Sequence, residues 1–201
     1  MKSLLKLFLL LFLITFTNTL LAQNVKPLVS EEDWNKIIPF LSEEQWDNAE
    51  KLAHAYLDRF KGKEKMTDEA GIVRYMYLKS VAALLGNKTI DKETALKKLK
   101  GFEGQNIITP FIIFKKDGMF NYLTISEEGD NWFQCSANND ATEIHMFETF
   151  QMSDRNLLSN PEASEGKKYR LMATIKSIEA NGFAMPRLDL LYSTTEIWDT
   201  E

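Results

Sequence analysis

Lys168-Tyr169-Arg170-Leu171-Met172-Ala173-Thr174-Ile175-Lys176-Ser177-Ile178-Glu179 is the stretch whose reading decides the fold. Tyr169, Leu171, Ala173, Ile175 and Ser177 fall on one side of a two-residue period, the pattern of a strand with one buried face. Asn181-Gly182 is a turn signal after it, and Arg187 to Trp198 reads as the returning strand. Upstream, Ile107 to Phe114 is rich in β-branched and aromatic residues, Asp117-Gly118 is a hairpin signal, and Met119 to Ser126 is the expected return strand. A turn at Glu127 to Asp130 leads to a third strand, Trp132 to Ala137. Asn138-Asn139-Asp140 is placed to cap a helix from about Ala141 to Gln151, with Ile144, Phe147 and Phe150 inward, and Ser153 to Gly166 reads as a loop.

The first half has a different period. Val29-Ser30-Glu31-Glu32-Asp33-Trp34 and Leu41-Ser42-Glu43-Glu44-Gln45-Trp46 each carry an apolar residue, a serine, acids and a tryptophan, and read as two helix starts. Pro39 is expected to keep the first helix short. Trp46, Ala49, Leu52, Ala53, Tyr56, Leu57 and Phe60 form one apolar face, with Gly62 as the stop. A third helix spans Asp68 to Leu85, capped by Thr67 or Asp68, and its apolar residues cover most of the circumference, so it should pack on more than one side. A short fourth helix, Asp91 to Lys100, buries Ala95, Leu96 and Leu99 and leaves Lys97, Lys98 and Lys100 on a solvated face.

Three strands, a helix and a two-strand hairpin are the element order of an OB-fold. The expected class is therefore α+β: a helical domain, residues 23–101, followed by a five-stranded OB-like β-barrel, residues 102–201, with a helix between strands three and four. The segments Phe133-Gln134-Cys135 and Glu165-Gly166-Lys167-Lys168-Tyr169-Arg170-Leu171-Met172-Ala173-Thr174-Ile175 resemble the tRNA_anti-like OB-fold proteins of exported bacterial type. In that family a strand ending in Cys precedes a helix, and a Gly-Lys pair opens the fourth strand. The resemblance covers the last hundred residues and implies a fold without implying a catalytic signature.

Residues 1–22 read as a signal peptide: Lys2 and Lys6, an apolar run centred on Leu7 to Ile14, then Asn18-Thr19 and Leu20-Leu21-Ala22. The run is shorter than the roughly 20 apolar residues of a spanning helix, so the expectation is a periplasmic or secreted protein with no stable membrane insertion after cleavage. Removal of this segment leaves 22 basic and 29 acidic side chains, a net charge of −7. The charge is uneven: residues 23–101 carry 14 basic and 13 acidic residues, and residues 102–201 carry 8 and 16.

Composition narrows the chemistry. The 201 residues are 44% apolar and 26% charged, which excludes a disordered polyelectrolyte. One Cys excludes an intramolecular disulfide, and two His exclude a His-rich metal site. No Gly-rich phosphate loop, G-x-S-x-G elbow or HExxH helix occurs. His145 and Glu148 would share a helix face but lack a third ligand, His54 lacks a local carboxylate partner in a recognisable motif, and Cys135 shares strand parity with Phe133 and should be buried. No catalytic residue, cofactor or metal site is assigned.

OB-folds bind on the outer face of strands two and three. Parity puts Phe120, Tyr122 and Trp132 on that face, beside Lys115 and Lys116, and these five are the expected ligand-binding residues. The acidic second half argues against nucleic acid and leaves a protein, a glycan or a small apolar ligand as partner. A covering helical half would convert the same aromatics into an internal interface. The expected function is an exported, non-catalytic binding or scaffolding protein; the alternative is a hydrolase or metal-dependent enzyme with its site in the interdomain cleft.

Overall fold

A computed structural model of the chain describes residues 27–118, 121–126, 131–139, 143–153 and 160–201. The expected signal segment and the turn at Glu127 to Asp130 lie outside the described residues. Among those described, no helix is long and apolar enough to cross a membrane.

Four helices and a 3-10 turn come first: α1 (Glu31–Ser42), α2 (Trp46–Leu57), the turn at Gly62–Met66, α3 (Asp68–Gly86) and α4 (Lys92–Lys98). Ser30 caps α1 in a capping box with Asp33, which also pairs with Arg59 at 2.6 Å. Thr67 and Asp91 cap α3 and α4 through the amides of Ala70 and Thr94. Two expectations fail here. The first helix runs a turn past Pro39, and Ser42 ends α1 rather than capping α2, because its hydroxyl donates to the Pro39 carbonyl.

The strands are β1 (Asn106–Ile108), β2 (Ile112–Phe114), β3 (Tyr122–Ile125), β4 (Trp132–Asn139), β5 (Glu143–Met152), β6 (Lys168–Asn181) and β7 (Arg187–Thr200), with a one-turn helix α5 (Pro161–Ser164) before β6. They form one mixed sheet of seven strands in the order β1-β6-β2-β3-β4-β5-β7, and β7 also pairs with β6. Hydrogen bonds therefore run in a ring through β6, β2, β3, β4, β5 and β7. β1 and β2 lie end to end along one edge of β6, opposite residues 172–174 and 168–169. Pro110 between them cannot donate to a ladder, which divides the expected single strand in two.

This architecture overturns the five-stranded OB-like barrel. The expected helix from Ala141 to Gln151 is strand β5, paired antiparallel with β4 and parallel with β7. Ile144, Phe147 and Phe150 satisfy a helical period, but Met146, Glu148, Phe150 and Met152 alternate and are the residues that turn inward. Partners on both edges decide in favour of the strand. The expected hairpin at Asp117-Gly118 is also absent. The turn closes on itself through the Gly118 amide and the Lys115 carbonyl, and β2 pairs parallel with β3.

One buried cluster joins the helices to the sheet, running from Ile37, Tyr56 and Leu78 to Phe114, Phe133, Phe150 and Leu171. At its centre is α3, which packs on α2, β1, β5 and β7. Its nearly uniform apolarity meant burial on several sides, and thirteen of its residues are buried. Arg74 is one of them. Its guanidinium donates to the carbonyls of Asn106 and Lys65 and to Asn106 Oδ1, tying α3 to β1 and to the 3-10 turn. Burial pulls its pKa down to about 10.

Candidate functional site

One stripe of α3 escapes full burial. Asp68, Ile72, Met76 and Lys79 follow one another at three- and four-residue steps. Facing it is the start of β6, whose alternation turns Tyr169 and Leu171 inward and leaves Arg170 on the other side. Between them is a cavity of about 160 Å³. Ile72, Tyr75, Met76 and Lys79 supply its α3 wall, Leu41 closes it from α1, and Ile108, Thr109, Pro110 and Arg170 complete it from the sheet.

Local backbone chemistry holds that wall in place. The Leu171 amide donates to the Thr109 hydroxyl oxygen at 2.9 Å, and the Thr109 amide donates to the Leu171 carbonyl at 2.9 Å. In the β6–β7 ladder Arg170 pairs with Asp199 and Leu171 with Ile197, so Trp198 is an extra residue between them. Such a bulge re-aims a side chain. The Arg170 guanidinium carbon lies 4.8 Å from the Phe111 ring centre and 5.4 Å from that of Trp198. The Trp198 indole donates in turn to Asp68 Oδ2 at 3.2 Å.

Behind the cavity is a second polar feature, fully enclosed. The Tyr75 hydroxyl donates to Glu148 Oε2 at 3.1 Å, and the Tyr192 hydroxyl donates to Oε1 at 2.9 Å. Cys135 stands opposite Glu148 on the β4–β5 ladder. Desolvation pushes the Glu148 carboxyl up to about 7, against the opposing pull of the two tyrosine hydrogen bonds and the Lys79 charge. Burial and the neighbouring Glu148 carry the Cys135 thiol well above its ordinary range. A carboxyl poised near neutrality could serve as a general acid or base. Glu148 is completely buried, however, and its two oxygens are already engaged by tyrosines.

The five expected ligand-binding residues do not assemble at this cavity. Phe120 lies outside the described residues. Tyr122 and Trp132 are half-buried and share one face of the β3–β4 ladder, where Trp132 stands level with Ser126 and Tyr122 with Ser136. Four residues of strand, about 13 Å, separate those levels. Lys115 Nζ sits 4.2 Å from the Tyr122 ring centre, and Lys116 pairs with Glu162 at 3.2 Å while its amide donates to Glu165. Cys135 is buried with Phe133, as its parity implied. His54 is exposed and lies 3.6 Å from Asp58, and His145 is buried against Gly86. Among the described residues no three His, Cys, Asp or Glu side chains form a group that could hold a metal ion.

Sequence reasoning missed the cavity. Its available signal was the α3 stripe combined with an outward arginine in an apolar strand. What it lacked was the pairing that brings Phe111 and Trp198 to Arg170. Family models, curated proteins and solved structures give no match to this chain.

Proposed function

We propose that this chain is an exported, non-catalytic binding protein that takes a small, largely apolar ligand between α3 and the β1–β6 edge. The cavity is the observation that carries this reading: about 160 Å³, with walls of Leu41, Ile72, Met76, Ile108 and Pro110. An apolar cavity of about 150 Å³ accommodates a benzene ring in other proteins. The export part of the reading rests on the n-region, apolar run and Ala22 boundary of residues 1–22.

The test is calorimetric titration of the purified protein with a series of small aromatic and branched aliphatic compounds, repeated on Ile72→Trp, which fills the space. Saturable binding that the filled variant loses, while keeping its unfolding midpoint, is the expected result. Equal binding by both proteins would move the ligand elsewhere. N-terminal sequencing of protein recovered outside the cytoplasm should begin at Gln23.

A further inference from the structure

We propose that the ligand of this cavity is an organic carboxylate bearing one apolar group of about benzene's bulk, with Arg170 as the residue that pairs its charge. The inference rests on the cavity being a binding site and adds the ligand's chemical class.

Among the described residues, Arg170 is a cation without a counter-ion. It makes no ion pair among the described residues, and its Nε is buried with no hydrogen-bond partner. Yet the group is held in place, with Phe111 and Trp198 both against the guanidinium. Aromatic stacking restricts the side chain while leaving the in-plane N–H donors available, and that planar fork matches the two oxygens of a carboxylate. Two carboxylates are near enough to be considered as its anion: Asp199, opposite Arg170 on the β6–β7 ladder, accepts from the Thr200 amide, and Asp68 accepts from the Trp198 indole, and neither makes an ion pair with Arg170.

The remainder of the lining agrees in sign. It contains no acidic residue, and its second charged group is Lys79, whose ammonium lies 5.9 Å from the Trp46 ring centre and makes no ion pair among the described residues. An apolar wall with two cations and no acidic lining residue favours an amphiphilic anion over a neutral hydrocarbon. A buried donor left without a partner is costly, and a ligand oxygen that satisfies it recovers that cost. The carboxylate could belong to a free acid or to the C-terminus of a peptide ending in an apolar residue. Both present the same atoms to Arg170, and the cavity has room for one apolar side chain in either case.

The experiment compares 3-phenylpropionate with 3-phenyl-1-propanol by calorimetry on the purified protein. The acid is expected to bind at least about tenfold more tightly, as befits hydrogen bonds to a charged group. Arg170→Gln should remove that preference while leaving alcohol binding intact, and Lys116→Gln, which does not line the cavity, should leave it unchanged. Equal affinity for acid and alcohol in the unmodified protein overturns the carboxylate inference and leaves the cavity reading standing. Binding of neither compound overturns both. The comparison on the unmodified protein decides the matter even where Arg170→Gln fails to fold. N-acetyl-Ala-Phe against its C-terminal amide separates the sources: a preference for the dipeptide acid points to peptide C-termini, and binding of 3-phenylpropionate alone points to free acids.

Discussion

Tyr75 and Glu148 stand 73 positions apart in the chain and are joined by a hydrogen bond of 3.1 Å. Tyr75 belongs to the helical half and Glu148 to a strand of the sheet. Tyr192 meets the same carboxyl from β7 at 2.9 Å. One buried polar group thus ties α3, β5 and β7 at their junction, and Tyr75 is also part of the cavity wall. A buried carboxyl that finds two donors helps to specify this arrangement, because an apolar side chain there would leave both tyrosine hydroxyls unpaired.

Glu148 should make stability fall as pH rises through the weakly acidic range. Its carboxyl titrates near 7 in the folded protein, against 4.5 for the unperturbed group. The folded state then holds a proton that the unfolded state releases, so the stabilisation is complete below about 4.5 and is lost as pH rises to about 7. The loss is on the order of 3 kcal/mol for a shift of this size. Denaturant unfolding between pH 4.5 and 8 should show the decline in the unmodified protein and a flatter profile in Glu148→Gln, which cannot ionise. Parallel profiles would mean that the carboxyl titrates at its ordinary value.

Glu148 also explains where sequence reading stopped. A carboxylate at an inward position interrupts the apolar alternation of β5, and what remained visible was Ile144, Phe147 and Phe150 at helical spacing. The helices of the first half were legible because their faces and caps are local: Ser30 and Thr67 announce α1 and α3 within a few residues. The alternation of β6 was legible for the same reason. The closure of β7 onto β6 and the parallel pairings of β2 with β3 and β5 with β7 join distant segments, and no local period encodes them. Arg170 could be placed on the outward side of its strand. Its stacking partners Phe111 and Trp198 depend on a strand break and a bulge, both products of pairing.

Gly86 should not tolerate alanine. In an open helix the exchange gains about 1 kcal/mol of propensity. Here a Cβ would come within 1.7 Å of His145 Nδ1 and 2.6 Å of Cε1, and the imidazole is buried. Displacing a packed ring costs more than the propensity gain, so Gly86→Ala should lose about 1–3 kcal/mol by denaturant unfolding. Pairing it with His145→Ala should cost less than the two losses added together, since the smaller side chain relieves the clash. Simple additivity would place the damage elsewhere.

Cys135 should resist polar thiol reagents in the folded protein. It is 6% exposed, and desolvation together with Glu148 disfavours the thiolate that reacts. Labelling by a charged disulfide reagent should proceed only through opening of the fold and accelerate in parallel with unfolding as denaturant is added. Cys135→Ser should cost on the order of 1–3 kcal/mol, the penalty of burying a hydroxyl without a good partner. Fast stoichiometric labelling in native buffer would show that the β4–β5 surface opens by itself.

Single-stranded nucleic acid should find no useful site on the β3–β4 face. Stacking on Tyr122 or Trp132 could supply about 1–3 kcal/mol per base, but phosphate binding draws its strength from free cations. The two lysines nearest Tyr122 are engaged: Lys115 lies over its ring, and Lys116 is paired with Glu162 and hydrogen-bonded through its amide to Glu165. The half of the chain that contains this face carries 16 acidic and 8 basic residues. Lowering the salt lengthens the reach of that negative field and should weaken the approach of a polyanion further. Anisotropy of a labelled oligonucleotide should therefore stay flat at low and moderate salt. Micromolar binding that tightens as salt is lowered would mean that the field at this face is positive, and that Lys116 exchanges its Glu162 partner for a phosphate.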